Sequence, residues 1–250
     1  MTLNTFFKEH PKVALAFSGG VDSAYLLYAA IQNGVEVCAY YVKSPFQPQF
    51  ELEDARRIAG ELKADMRIIQ LDVLSEKEVA GNPPDRCYYC KKRIFSAIVR
   101  AAQADGFPVL MDGTNASDDV DDRPGMRALK ELSVRSPLRE CGLTKDAIRQ
   151  LSKEAALFTW DKPAYACLAT RIPAGETITA EKLQKTEAAE KYLFSLGFTD
   201  FRVRLLDGCA RIQVPEQSMP LLLSRRSEIL ETFKKHYRAV LLDLEARGEQ

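Results

Sequence analysis

The amino-acid sequence predicts an α/β fold with a parallel sheet, followed by a smaller α+β domain. Two observations support this interpretation. Strand-like and helix-like segments alternate through the first part of the chain, and beyond about residue 170 two strands follow each other directly. A chain of 250 residues that is 46% hydrophobic can bury two such cores. We therefore predict a first domain at residues 1–170 and a second at residues 171–250.

The elements of the first domain follow from short apolar runs and helical spacing. Glycines end the first apolar run, and Val21, Tyr25, Leu26 and Ala29 then share one helix face. Thr144 is a plausible N-cap for a later helix. Predicted strands cover residues 13–17, 35–42, 66–73 and 109–112, and predicted helices cover 51–62, 86–104 and 144–153. This alternation predicts a Rossmann-like sheet with helices on both faces.

The second domain begins after a segment with no clear period. Residues 161–175 contain two prolines and are predicted to be a linker or an active-site loop. Asp207 and Gly208 form a predicted turn between two strands. Predicted helices cover 180–196 and 219–236, and predicted strands cover 201–206, 210–214 and 239–244.

Composition narrows the classes of partner. The chain has 35 basic and 35 acidic side chains, so no net charge draws it to nucleic acid or to an anionic membrane. No apolar run approaches the roughly 20 residues that span a bilayer, and the N-terminus lacks a signal-peptide core. We expect a cytoplasmic protein with a small-molecule partner, no nucleic acid and no membrane. Its six cysteines then favour metal or catalytic chemistry over disulfides.

A phosphate-binding loop is predicted where the first strand meets its helix. Ser18, Gly19, Gly20, Asp22 and Ser23 lie at this turn. Glycines let the backbone approach an anion, and the following helix directs free N–H groups at it. The serines add hydroxyl donors, and Asp22 is a candidate for Mg²⁺ or for the helix start. The alternative is an ordinary glycine turn capped by serines.

Two later segments provide further candidates for nucleotide binding. Gly113 and Thr114 follow a predicted strand, at the end where ligands bind in parallel sheets. Arg139 and Lys145 lie farther along and are candidates for phosphate contact. Solvent-exposed helix charges are the alternative interpretation of both.

Three cysteines stand out by position. Cys87 and Cys90 are three residues apart near a predicted helix start, where thiolates are favoured, and this suits metal, cluster or redox chemistry. Cys167 lies between prolines and beside Arg171, which fits an exposed nucleophile. Semi-buried structural thiols are the alternative for the pair.

These segments together resemble the ATP-dependent sacrificial sulfur transferase LarE family. Its features are present in residues 18–23 (SGGVDS), 82–91 (NPPDRCYYCK), 135–139 (RSPLR) and 167–173 (CLATRIP). The loop at 18–23 also resembles the PP-loop of the ATP pyrophosphatase superfamily. The resemblance implies an adenine nucleotide alpha hydrolase-like fold and cleavage of ATP to AMP and pyrophosphate.

The resemblance also implies a substrate and a reaction. The substrate would be pyridinium-3,5-biscarboxylic acid mononucleotide, whose carboxylate is adenylylated and converted to a thiocarboxylate during nickel-pincer nucleotide synthesis. Cys167 matches the sulfur-donor region. Some members instead hold a [4Fe-4S] cluster, for which Cys87, Cys90 and Cys167 are the candidates.

The same resemblance assigns roles to the second domain. It implies that Arg202 and Arg204 bind the substrate phosphate and that Glu190 is a nearby metal or substrate ligand. A homo-oligomer is expected, with residues 171–250 serving substrate binding and oligomerisation. Surface charge is the alternative interpretation of these three residues.

Other functions remain open from sequence. A different adenylylating PP-loop enzyme, such as a tRNA thiolase or an amidating synthetase, would share the loop. A nucleotide-binding module without catalysis would leave the cysteine segment at 167–173 unexplained.

Overall fold

The chain divides into two compact units. A computed structural model describes residues 1–118 and 124–248. The first unit comprises Met1–Val73 and Asp85–Lys162, and the second comprises Leu74–Pro84 and Pro163–Gln250. The predicted boundary lies at residue 170, with 74–84 in the first domain, whereas contacts within the structure assign 74–84 to the second unit.

The secondary structure alternates as the sequence predicts. The strands are β1 (Lys12–Ala16), β2 (Glu36–Lys43), β3 (Asp65–Gln70), β4 (Val109–Met111), β5 (Arg202–Leu206), β6 (Cys209–Gln213) and β7 (Val240–Leu242). The helices are α1 (Leu3–Glu9), α2 (Val21–Gln32), α3 (Gln49–Glu61), α4 (Lys77–Ala80), α5 (Arg86–Ala104), α6 (Pro124–Glu131), α7 (Pro137–Glu140), α8 (Lys145–Glu154), α9 (Ala180–Ser195), α10 (Met219–Ser224) and α11 (Arg226–Phe233). Short 3₁₀ helices cover Leu168–Arg171 and Glu216–Ser218.

The first unit contains a parallel sheet with strand order β3-β2-β1-β4. The chain moves outward from β1 through β2 to β3 and then returns to the other side of β1. This reversal creates a switch point between β1 and β4, where ligands bind beyond the carboxyl ends of the strands. The predicted α/β fold with a Rossmann-like sheet is confirmed.

Alternating side chains of β1 and β2 build a core on each face of this sheet. Val13 and Leu15 pack on one face with residues of α2, whereas Ala14 packs on the other with residues of α5. Cys38 lies in the second of these cores, as its strand position predicts. Thr144 caps α8 by accepting from the Ala147 N–H, which confirms the predicted N-cap.

The second unit contains a smaller three-stranded sheet. Strand β6 is antiparallel to β5 and parallel to β7, and α9 packs against β5. The predicted small α+β fold is confirmed, although the helix predicted at 219–236 divides at Arg225 into α10 and α11. Among the described residues, no helix combines the length and apolar character needed to cross a membrane.

The segment 74–84 belongs to the second unit through specific hydrogen bonds. The Asn82 side chain, which is buried, donates to the Pro173 carbonyl at 2.7 Å. The main-chain N–H groups of Gly175 and Ile178 donate to the carbonyls of Asn82 and Ala80, each at 2.8 Å.

Candidate active site

A glycine turn joins β1 to α2. Gly19 has a φ of +73°, and a Cβ at this position would lie 3.0 Å from the backbone Cα of Ala55. The Oγ atoms of Ser18 and Ser23 are 3.0 Å apart, and the Gly20 N–H donates to Ser18 Oγ at 3.3 Å. The turn is therefore prefolded by its own hydroxyls and packs closely against α3, which requires glycine. It leads into the N-terminus of a twelve-residue helix, the end that favours anions.

The segment after β4 forms a second wall beside this turn. A Cβ on Gly113 would lie 3.0 Å from the backbone nitrogen of Ser23, so the segment after β4 closely approaches the first turn of α2 at the switch point. Asp112 is buried and accepts hydrogen bonds from the hydroxyls of Thr114 at 2.5 Å and Ser136 at 2.7 Å. Burial raises the pKa of Asp112, and these hydrogen bonds oppose the rise. Asp112 thus fixes the two loops that follow β4.

Asp22 connects the glycine turn to two other predicted site segments. Its carboxylate accepts from the Asn115 side-chain amide at 3.2 Å and pairs with the Lys145 ammonium. The Lys145 N–H also donates to Ser117 Oγ at 3.0 Å. The structure therefore brings Asp22 and Lys145 together beside the turn, and the side chain of Lys145 is 31% exposed.

Arg139 lies close to the same loop and forms hydrogen bonds with its main chain. Its guanidinium donates to the carbonyl of Asp118 at 2.7 Å, and its main-chain N–H donates to the Thr114 carbonyl at 3.2 Å. These bonds brace the segment between Thr114 and Asp118. A contact between Arg139 and phosphate stays a prediction.

Cys167 lies in the second unit, where it precedes the 3₁₀ helix Leu168–Arg171 as its N-cap. Cys167 is partly exposed. Its carbonyl accepts hydrogen bonds from the Thr170 N–H at 3.0 Å and from the Thr170 hydroxyl at 2.9 Å. The thiol interacts electrostatically with Arg171, and this interaction favours the positive guanidinium.

The two candidate phosphate ligands of the second unit contact the chain on either side of Cys167. The guanidinium of Arg202 donates to the Ala164 carbonyl at 2.5 Å, and that of Arg204 donates to the Thr170 carbonyl at 2.6 Å. Burial, together with the nearby positive charge of Arg171, lowers the pKa of Arg202 to about 10. The pKa of Arg204 is lowered for the same reasons. Positive charge is thus concentrated here, in a partly desolvated setting that favours anions.

Glu190 is buried rather than open to solvent. Its carboxylate receives two hydrogen bonds from Arg171, at 2.8 and 3.2 Å, and one from the Val203 N–H at 2.9 Å. The Tyr165 hydroxyl also donates to it. The side chains of Arg171 and Glu190 are 0% and 2% exposed. Sequence reasoning did not anticipate this pair, because nothing local links residues 19 positions apart in the chain.

The cysteine pair lies at the start of α5 in the first unit. Cys87 is exposed and Cys90 is buried, and an Arg86 guanidinium nitrogen is 3.7 Å from the sulfur of Cys87. Within the described part of either unit, no three His, Cys, Asp or Glu side chains are grouped to hold a metal ion. Cys87 and Cys90 belong to the first unit and Cys167 to the second.

The fold and the serine–glycine turn at the switch point define a protein of the PP-loop ATP pyrophosphatase class. A family model described as queuosine biosynthesis protein QueC matches residues 12–81, which include this turn. The pyridinium-3,5-bisthiocarboxylic acid mononucleotide synthase of Lactiplantibacillus plantarum is 37% identical over 86% of this chain and 79% of its own length. The chain therefore belongs to the LarE family of ATP-dependent sulfur transferases.

Two further relatives extend this picture. An uncharacterized protein of Synechocystis is 38% identical over 97% of this chain and 92% of its own length. A tRNA-specific 2-thiouridylase, MnmA 2, of Clostridium botulinum is 28% identical over 60% of this chain and 52% of its own length. The similarity to MnmA 2 covers only about half of that protein.

Proposed function

We propose that this enzyme adenylylates a carboxylate of pyridinium-3,5-biscarboxylic acid mononucleotide and converts it to a thiocarboxylate. The product is a precursor of the nickel-pincer nucleotide. The observation that carries the proposal is the close approach of Gly113, in the segment after β4, to Ser23 at the end of the PP-loop, at the β1–β4 switch point. The bisthiocarboxylic acid synthase among the relatives supports the choice of substrate.

The first step releases pyrophosphate. Backbone N–H groups and the hydroxyls of Ser18 and Ser23 would bind the departing phosphates, assisted by the α2 N-terminus. Lys145 would turn from Asp22 to the phosphates, and Asp22 would then be available to Mg²⁺. Gly19, Gly20, Gly113 and Thr114 would line the ATP site. Arg139 would brace the loop beside it or contact a phosphate.

The second step transfers sulfur. The thiolate of Cys167 attacks the acyl carbon, a C–S bond forms, and AMP leaves with the electron pair of the broken C–O bond. Removal of the Cα proton of Cys167 then expels the thiocarboxylate as its Cβ–S bond breaks. Dehydroalanine stays in the protein, which loses the mass of H₂S. Arg202 and Arg204 would bind the substrate phosphate through their remaining N–H donors.

A [4Fe-4S] cluster on Cys87, Cys90 and Cys167 is the alternative source of sulfur. It would supply an extra bound sulfide, which free sulfide from solution would replace, and the protein would be unchanged after turnover. Thiolates of cysteine are the ligands such clusters require. We also propose that the enzyme works in the cytoplasm as a homo-oligomer, in which residues 171–250 serve substrate binding and assembly.

The test follows the fate of ATP and of the protein. Incubation with ATP, Mg²⁺ and the pyridinium substrate should give AMP and pyrophosphate, and formation of ADP and orthophosphate would contradict the proposal. Cys167→Ala should form AMP but no thiocarboxylate, whereas the control Cys141→Ala should make product normally.

Protein mass and metal content separate the two sulfur sources. Loss of H₂S from Cys167 after one turnover supports the sacrificial route. Iron and acid-labile sulfide in anaerobically purified protein, with unchanged protein mass after several turnovers in the presence of added sulfide, would support the cluster. The MnmA 2 relative gives a specific reason to test tRNA as well. Thiolation of tRNA without reaction of the pyridinium substrate would assign the enzyme to the tRNA thiolases.

A further inference from the structure

The loop that carries Cys167 is held by hydrogen bonds from arginine side chains to its main chain. Arg202 donates to the carbonyl of Ala164 at 2.5 Å, Arg171 donates to that of Ala166 at 3.0 Å, and Arg204 donates to that of Thr170 at 2.6 Å. The fixed carbonyls precede and follow Cys167. Residues 163–167 form neither helix nor strand, so these side chains replace the backbone bonds that regular structure would provide.

Arg171 is the centre of this arrangement. Its Nε and Nη2 atoms bind the Glu190 carboxylate in a bidentate pair, at 2.8 and 3.2 Å. Its Nη1 atom bonds both the Ala166 carbonyl at 3.0 Å and the Thr170 hydroxyl at 2.8 Å. One planar guanidinium therefore joins a buried carboxylate on α9 to both sides of Cys167, a geometry that lysine cannot reproduce.

Tyr165 adds a second link two residues before the cysteine. Its hydroxyl donates to Glu190, and its ring centroid lies 4.6 Å from the Arg171 guanidinium carbon and 5.2 Å from that of Arg202. Cation–π contacts of this kind are attractive, and more so when desolvated. Burial lowers the pKa of Arg171, but its bonds to Glu190 outweigh that effect and the pKa is raised, so its charge persists.

We propose that Arg171, held by Glu190 and Tyr165, is a positioning residue that fixes the Cys167 loop and so presents the thiol to the activated acyl group. This inference rests on the proposed role of Cys167 as sulfur donor. It makes Glu190 a support for Arg171, so that Glu190 need not contact a metal or the substrate. The inference requires that sulfur transfer be more sensitive to this cluster than adenylylation is.

The experiment compares Arg171→Lys and Tyr165→Phe with the wild-type chain. Thiocarboxylate formation should slow about 10- to 100-fold in Arg171→Lys, because small displacements of a reacting group are costly. Loss of the hydroxyl in Tyr165→Phe should give a milder decrease of about three- to tenfold. Substrate-dependent AMP formation should stay within about twofold of the wild type in both variants.

Alkylation by iodoacetamide supplies a readout that does not depend on turnover. If the loop is released, Cys167 should become more exposed. Its alkylation, measured by mass spectrometry, should then become at least about threefold faster, while sulfur transfer becomes slower. The buried Cys209 of the same unit is the internal control, and its alkylation should not change. Tyr192→Phe is the matched control variant, because the Tyr192 hydroxyl contacts the Glu228 carbonyl instead of the loop.

The outcomes are distinct. Normal sulfur transfer and unchanged Cys167 alkylation in both variants would overturn the inference. Equal loss of AMP formation and sulfur transfer, with faster alkylation of Cys209, would show that the cluster only supports the fold. If Arg171→Lys does not fold, Tyr165→Phe decides by the same criteria. Thiocarboxylate formation by Cys167→Ala would refute the proposed role of Cys167 as sulfur donor, while the alkylation comparison would still test whether Arg171 positions the loop.

Discussion

The substitution Gly19→Ala tests the prefolded turn directly, and the chain provides a matched control in Gly34→Ala. The two glycines have nearly the same left-handed backbone, with φ values of +73° and +70°. A methyl group at Gly34 would meet nothing within 4 Å, whereas one at Gly19 would lie 3.0 Å from the Cα and Cβ atoms of Ala55 and 3.1 Å from its backbone nitrogen. Both variants therefore carry the same backbone strain, and only Gly19→Ala adds a collision.

The magnitudes follow from these two contributions. A left-handed alanine costs roughly 1–2 kcal/mol, partly offset by the lower entropy of the unfolded chain. Collision with a backbone atom that cannot rotate away adds about 1–3 kcal/mol. We expect this addition to be divided between a lower free energy of unfolding and weaker ATP binding. If the turn moved to relieve the contact completely, ATP affinity alone would fall about 5- to 150-fold.

Urea denaturation and ATP titration of both variants measure the two parts. Gly34→Ala should bind ATP normally, and its free energy of unfolding should fall only by the cost of backbone strain. The reasoning would be refuted if the two variants agreed within about 0.5 kcal/mol in unfolding free energy and also bound ATP equally well.

Three further predictions concern other contacts. Lys145→Met should reduce AMP formation by about 10²-fold. Its Tm should change little, because the partly exposed ion pair of Lys145 with Asp22 contributes only about 0.2–1 kcal/mol. Lys153→Met on the same helix is the control, and equal activities of the two variants would contradict a role of Lys145 in phosphate binding. Burial raises the pKa of Asp112, so its contribution to stability is present at low pH and is lost as the pH rises through that pKa. The free energy of unfolding of the wild type should therefore decrease between pH 4 and 7 relative to that of Asp112→Asn. A difference between the two proteins that stays constant over this pH range would contradict a raised pKa of Asp112. Asn82→Ala should be about 1 kcal/mol less stable than Asn82→Gly in urea denaturation, because the backbone φ of +53° at residue 82 strains alanine but not glycine. Both variants lose the same side-chain hydrogen bonds, so these bonds do not contribute to the difference. Equal stabilities of the two variants would exclude backbone strain at this position.

Local signals were sufficient for most of the fold. The helix predicted at 86–104 is α5 (Arg86–Ala104), because Pro84 and Asp85 mark its start and its apolar spacing is regular. The PP-loop was recognisable because its glycines and serines are contiguous in sequence. Helix α6 (Pro124–Glu131) was not predicted, since it follows a polar segment with many breakers.

Contacts between distant parts of the chain could not be predicted from such signals. Sequence placed Arg171 beside Cys167 but did not indicate that its guanidinium is buried against Glu190. Glu190 is a charged residue on the face of α9 that also carries Leu183 and Leu193, and this face is buried where α9 packs against β5. Arg202 and Arg204 were expected to approach one ligand, and the structure adds their bonds to carbonyls around Cys167. These features depend on tertiary burial, which a linear pattern does not encode.

The second unit is discontinuous in sequence, because residues 74–84 belong to it although they lie between two segments of the first unit. A fragment beginning at Pro163 would keep its sheet but lose the acceptors for the N–H groups of Gly175 and Ile178 and the amide that Asn82 donates to Pro173. Separate expression of the C-terminal part should therefore give a less stable product than its length suggests. Supplying the peptide 74–84, by fusion or in trans, should restore it.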